Sequence, residues 1–123
     1  MKYGSIAAGE QTTLETACHI LESGGNAFDA AVAAVFTSMT SEFTLTGAGG
    51  GGALMAFPYN SEPILFDFFV DTLPVGLKQL DFFPVTVDFG TSQQNFNIGK
   101  GSVAVPGNYS GLHHVHKRLG FFL

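Results

Sequence analysis

Apolar residues follow two different helical patterns in the first third of the chain. Leu14, Ala17, Cys18 and Leu21 recur at i, i+3, i+4 and i+7 behind Thr12-x-x-Glu15, a capping-box spacing. That pattern predicts an amphipathic helix with one core-facing stripe, ended by Gly24-Gly25 at its C′ position. Asn26 restarts the chain as an N-cap, and Asp29 follows in the first turn, where the helix dipole favours a negative charge. Over residues 27–39 the chain is apolar almost all round and rich in alanine. This predicts a second helix covered on most sides, with neighbours at close range.

The pattern then changes to runs of strand length. Residues 52–58 and 63–70 are apolar and flank Tyr59-Asn60-Ser61-Glu62, a turn-type sequence, so an antiparallel hairpin is expected. Neither run alternates cleanly, which predicts a sheet covered on both faces and a layered α/β fold. Residues 5–8, between Gly4 and Gly9, suit a short buried strand. Residues 102–105 suit another, stopped by Pro106-Gly107, with Asn108 as N-cap of a third helix. Leu112, Val115 and Leu119 form its stripe, Lys117 and Arg118 complement the dipole in its last turn, and Gly120 ends it. Residues 73–100, with Asp81, Asp88 and Ser92-Gln93-Gln94-Asn95, read as loops and short extended pieces; 75–100 is the poorly defined part.

Between the second helix and the hairpin lies residues 46–52, TGAGGGG, in which Gly47, Gly49, Gly50, Gly51 and Gly52 carry no side chain. Gly47, Gly49 and Gly52 match G-x-G-x-x-G, but in the dinucleotide motif the glycines leave a strand and open a helix. Here they leave a helix and enter a strand, so the run reads as a tight joint allowing close backbone packing, with no nucleotide or other cofactor implied.

Composition sharpens this picture. Of 123 residues 46% are hydrophobic, including 13 phenylalanines and no tryptophan, while only 12% are charged, about half the usual share. A small domain with so much apolar surface is expected to be covered in part by further protein. A net charge of −5 argues against nucleic acid and anionic membranes as partners. The single cysteine, Cys18, excludes an internal disulfide and reads as a buried inert thiol. The longest apolar stretch, residues 30–36, is too short to span a bilayer, and residues 1–8 do not form a signal peptide, so the compartment stays open.

Chemistry-bearing residues are few. His113 and His116 sit at i, i+3 with His114 between them, but no cysteine or carboxylate shares their helix, which favours solvated or half-buried histidines over a metal site. Asp67 and Asp71 are candidate paired acids, against a simpler reading as solvated strand-end carboxylates. No self-contained catalytic set is present.

Taken in order, GSIAAG, HILESGGNAFDAAVAA, TGAGGGGALM, FDFFVDTLP and GSVAVPGNYSGLHHVHKRLG give the chain a pattern that resembles the gamma-glutamyltransferase (gamma-glutamyltranspeptidase) family, at the beginning of its large subunit. The resemblance implies part of the four-layer αββα sandwich of N-terminal-nucleophile hydrolases. It further implies that residues 1–123 are an N-terminal fragment of one such domain. Members of the family cleave themselves and use the newly exposed N-terminal threonine to form a gamma-glutamyl-enzyme, which water or an amino acid resolves. By the resemblance that threonine lies downstream, in a missing C-terminal part or small subunit that would be this chain's partner. The substrate would be a small gamma-glutamyl compound of the glutathione type, and this chain alone would hold no catalytic residue.

One family contact falls inside the chain. The family run reads aspartate, aromatic, arginine, glutamate, any residue, alanine, proline; here Phe69-Val70-Asp71-Thr72-Leu73-Pro74 stands in its place. The resemblance therefore puts Val70 at the arginine that grips the substrate α-carboxylate and Asp71 at the glutamate. Valine has no guanidinium fork, so gamma-glutamyl specificity is in question. An acylase-like relative with a different acyl group, or a non-catalytic remnant serving as a structural or binding module, are the alternatives. A chain ending on Phe121-Phe122-Leu123 also reads as the entry to a further element.

Overall fold

The computed structural model describes residues 4–72 and 81–122. The elements run α1 (Gln11–Glu22), α2 (Ala27–Ser41), β1 (Gly52–Ala56), β2 (Ile64–Phe68), β3 (Phe83–Asp88), β4 (Gln93–Ile98) and α3 (Asn108–Leu119), with a 3-10 turn over Lys100–Ser102. They form two compact units, one of Met1–Val70 with Pro106–Leu123 and one of Asp71–Val105. Residues 73–80, including Leu73 and Pro74, lie outside the described residues.

In the first unit α1 starts two residues earlier than its sequence pattern predicts. Its N-cap is Glu10, whose carboxylate accepts from the Thr13 N–H at 3.0 Å and the Thr12 hydroxyl at 3.0 Å, so Thr12 lies inside the helix. Glu10 thus serves the third N–H of a helix that begins at residue 11, where a cap at Thr12 would have served the Glu15 N–H. The C-terminus closes as a Schellman motif: Gly24 sits at φ 98, its N–H bonds to Leu21 O at 3.1 Å, and the Gly25 N–H bonds to Ile20 O at 3.0 Å. Ala17 is buried, while Leu14, Cys18 and Leu21 are half-buried against α2. Hydroxyl pairs Thr37–Thr16 and Thr13–Ser41, each at 3.2 Å, tie the two helices along their length.

Asn26 caps α2 as predicted and does so reciprocally. Its Oδ1 accepts from the Phe28 and Asp29 N–H groups, while Asp29 Oδ2 accepts from the Asn26 N–H at 2.8 Å. Both side chains also reach the far end of α3, 93 residues on: Asn26 Nδ2 donates to Leu119 O at 2.7 Å. Asp29 accepts from the Phe121 N–H at 3.0 Å and from the Phe122 N–H at 3.3 Å, with His116 Nε2 at 3.2 Å.

Burial pushes the Asp29 carboxyl up, but the N–H groups of Asn26, Phe121 and Phe122 and the His116 imidazole outweigh it, leaving its pKa below the ordinary 3.8. The Glu10 carboxyl is drawn down to about 2 by the backbone N–H groups of Thr12 and Thr13. Folded-state values below the unfolded ones mean that both groups contribute stability fully above about pH 5, and that it is lost as the pH falls through their folded pKa values. Thermal melts between pH 7 and pH 2 are expected to show a falling acid limb that is shallower in Asp29→Asn. An unchanged limb in that variant would rule Asp29 out as a contributor.

The β1–β2 hairpin turns through Tyr59-Asn60, with Asn60 at φ 56, and pairs Gly52 with Phe68 and Ala56 with Ile64. Ala56 and Phe66 on one face join Val32, Leu112 and Val115 in the core, with Leu54, Ile64 and Phe68 packed around them. α2 and α3 cover that face. On the other face Met55 and Leu65 are 54% and 60% exposed, so the expectation of a sheet covered on both sides does not hold among the described residues. Burial here alternates even though hydrophobicity does not, because both strands carry apolar residues on their open face as well. Residues 5–8 form no strand and pair with none of the described residues; they line a cleft with Ala17, Ala27, Ala30, Ala31 and Ala34.

The second unit contains a hairpin where the sequence suggested only loops and short extended pieces. β3 and β4 pair from Phe83 with Ile98 to Asp88 with Gln93, turning at Gly90, whose φ is 83. The predicted strand over residues 102–105 reduces to one bridge, in which Asp71 and Val105 exchange backbone hydrogen bonds of 3.3 and 2.7 Å. The preceding 3-10 turn takes Ser102 from the predicted strand.

Candidate functional site

The candidate site forms where three pieces of backbone converge: the glycine joint, the end of β2, and the start of α3. The joint opens with a turn in which the Gly50 N–H bonds to Gly47 O at 3.0 Å. Gly50 O then accepts from both the Gly107 and Asn108 N–H groups, each at 3.0 Å, which satisfies orphan donors at the N-terminus of α3. Asn108, predicted as the N-cap, is the first helical residue instead; Gly107 holds the cap position. The Asn108 side chain, 4% exposed, donates from Nδ2 to Gly47 O at 2.8 Å.

The glycines of the joint do not all do the same work. None of them adopts a positive φ, so conformational freedom is not what they supply. A Cβ on Gly51 would strike the backbone of Phe68 and Phe69, at 2.8 Å from Phe68 O, and the Val70 nitrogen. Gly50 and Gly52 leave room for the Asn108 amide, 3.2 Å from a Cβ at Gly50 and 3.6 Å from one at Gly52. Gly47 and Gly49 face nothing within 4 Å. From the other side Gly107 and Gly111 press on Phe68, the first on its backbone and the second on its ring.

Val70 is half-buried, with its nitrogen against Gly51, and so is brought onto the joint. Asp71 is exposed, belongs to the other unit, and spends Oδ1 on the Thr72 N–H at 2.8 Å. Asp67 likewise accepts from the Phe69 N–H at 3.1 Å, so each acid serves its own strand end. His113 and His116 both line a cleft of about 420 Å³ with Asp29, Phe36 and Tyr109, His116 bonding to Asp29, while His114 turns away and stands edge-on to Phe66 with centroids 5.8 Å apart. No three potential metal ligands cluster among the described residues. Cys18 is half-buried, less enclosed than its pattern predicts.

Sequence reasoning missed Asn108 as a tertiary donor. Its position after Pro106-Gly107 and before a helix also fits a cap, and only the buried environment separates the two roles.

Residues 13–122 match the family model for gamma-glutamyltranspeptidase. The chain belongs to the gamma-glutamyltranspeptidase family. It is 34% identical over 118 residues to a glutathione hydrolase proenzyme of Pseudomonas aeruginosa, covering 95% of this chain and 20% of that one. To glutathione hydrolase proenzyme 1 of Schizosaccharomyces pombe it is 32% identical, covering 97% and 18%. Among solved structures, gamma-glutamyltranspeptidase from Helicobacter pylori superimposes with a TM-score of 0.76 at 25% identity, over 99% of this chain and 34% of that one. The enzyme from Pseudomonas nitroreducens, complexed with L-DON, gives 0.74 at 27% identity, over 99% and 35%. The chain thus has the α/β fold of this part of an N-terminal-nucleophile hydrolase, corresponds to the N-terminal part of the family's proteins, and spans about a fifth of the length of the curated relatives it matches.

Proposed function

We propose that this chain is the N-terminal part of a gamma-glutamyltranspeptidase-type hydrolase that cleaves or transfers the acyl group of small gamma-glutamyl amides. The nucleophile is a threonine outside residues 1–123, exposed by self-cleavage, and its own amine acts as the base. The observation that carries this reading is the family match over residues 13–122. The open β1–β2 face, with Met55 and Leu65, supports a facing layer supplied by the remaining protein and thereby a four-layer sandwich. A polypeptide of the relatives' length should convert into two chains on standing, with threonine at the new N-terminus by sequencing. An uncleaved protein without turnover would remove the enzyme reading and leave a structural module.

A second reading concerns the acyl group. Val70, at the position of the family's carboxylate-binding arginine, favours an acyl group without an α-carboxylate. Asp71 stands at the position of the neighbouring glutamate.

A further inference from the structure

A buried amide lies one layer behind the backbone that seats Val70. The chain of contact is short. Asn108 Nδ2 bonds to Gly47 O, and the Asn108 N–H joins that of Gly107 on Gly50 O, so α3 grips the joint at both ends of its turn. The next residue, Gly51, lies directly on the backbone of Phe68 and Phe69 and on the nitrogen of Val70. The Asn108 amide packs tightly on Gly50, where a Cβ would stand 3.2 Å from Nδ2, and Gly107 closes on Phe68 from behind. Loosening the turn at Gly47 therefore frees the surface on which Val70 is seated.

We propose that Asn108 is a positioning residue for the acyl subsite, setting the backbone of residues 68–70 through the glycine joint without touching substrate. The proposal rests on the reading of Val70 as an acyl-site residue. It distinguishes itself from a purely structural role in how it fails: a destabilised enzyme loses active molecules, which lowers kcat at unchanged KM, whereas a displaced subsite raises KM. Asn108→Asp keeps the shape but turns an oxygen toward Gly47 O, so it should behave as Asn108→Ala does.

The test uses the full-length, self-cleaved protein and a gamma-glutamyl anilide. Asn108→Ala and Asn108→Asp are expected to raise KM about tenfold with kcat within about twofold, one lost buried hydrogen bond being of that order. Asn26→Ala, which loosens the α2–α3 tie away from the joint, is the control and should melt earlier with KM unchanged. Unchanged KM in both Asn108 variants would overturn the proposal while leaving the enzyme reading intact. A KM that rises equally in Asn26→Ala would also overturn it, as general destabilisation. A wild-type protein that neither cleaves itself nor turns over the anilide would overturn the enzyme reading and the proposal with it.

Discussion

Gly107→Ala should destabilise the protein by about 3 kcal/mol, the upper end of what overpacking a rigid site costs. The backbone of Gly107, at φ −106 and ψ −24, is open to alanine, so strain in the dihedrals contributes nothing. The cost comes from contact alone. A Cβ there falls on the carbonyl oxygen of Phe68, with Phe68 C at 2.7 Å and Phe69 O at 3.2 Å, and these are backbone atoms that cannot rotate aside. Gly47→Ala meets nothing within 4 Å and should stay within about 0.5 kcal/mol of the parent. Urea midpoints at unchanged m-value measure both. Equal midpoints for the two variants would mean that α3 is not pressed against the end of β2.

The second large effect is expected at Val70 in a full-length protein. An arginine at this position would give a substrate carboxylate charge-assisted hydrogen bonds worth about 1.5–3 kcal/mol, where valine leaves it unpaired. Val70→Arg should therefore lower KM for gamma-glutamyl substrates by roughly one to two orders of magnitude, as expected for one restored ionic contact. The substitution starts from a half-buried side chain seated by its backbone on Gly51, so the new side chain has a fixed origin. If the unmutated protein already binds glutathione tightly and the variant changes nothing, another residue holds the carboxylate.

These two positions differ in how far sequence alone reveals them. Helices and the first hairpin are local: the stripe at Leu14, Ala17, Cys18 and Leu21, the Asn26 cap and the Tyr59-Asn60 turn each specify their element from neighbouring residues. The β3–β4 hairpin also alternates, with Phe83, Val85 and Val87 registered against Ile98, Phe96 and Gln94. Pro84, Asn95 and Asn97 disguise it, since proline and asparagine are depleted in paired strands. The β1–β2 sheet misleads in the opposite sense, because its open face carries Ala53, Met55 and Leu65 and only Asp67 marks it as exposed.

Long-range polar contacts leave no periodic trace. Asp29 reads as an ordinary first-turn acid, yet it also receives the backbone of Phe121 and Phe122 from more than ninety residues away. Asn108 reads as a cap and is a buried clamp on Gly47. The glycine joint is legible as a place of close approach, but which glycines are approached, Gly51 by strand backbone, Gly50 by an amide and Gly52 by the Phe68 ring, emerges only from packing.

The most direct measurement of the central claim is chromophore release from a gamma-glutamyl anilide by residues 1–123 alone and by the polypeptide extended to the length of its relatives. The 123-residue chain should release none, and the extended, self-cleaved protein should release chromophore until its new N-terminal threonine is replaced by alanine. Turnover by the 123-residue chain that is abolished by replacing one of its own residues would contradict it.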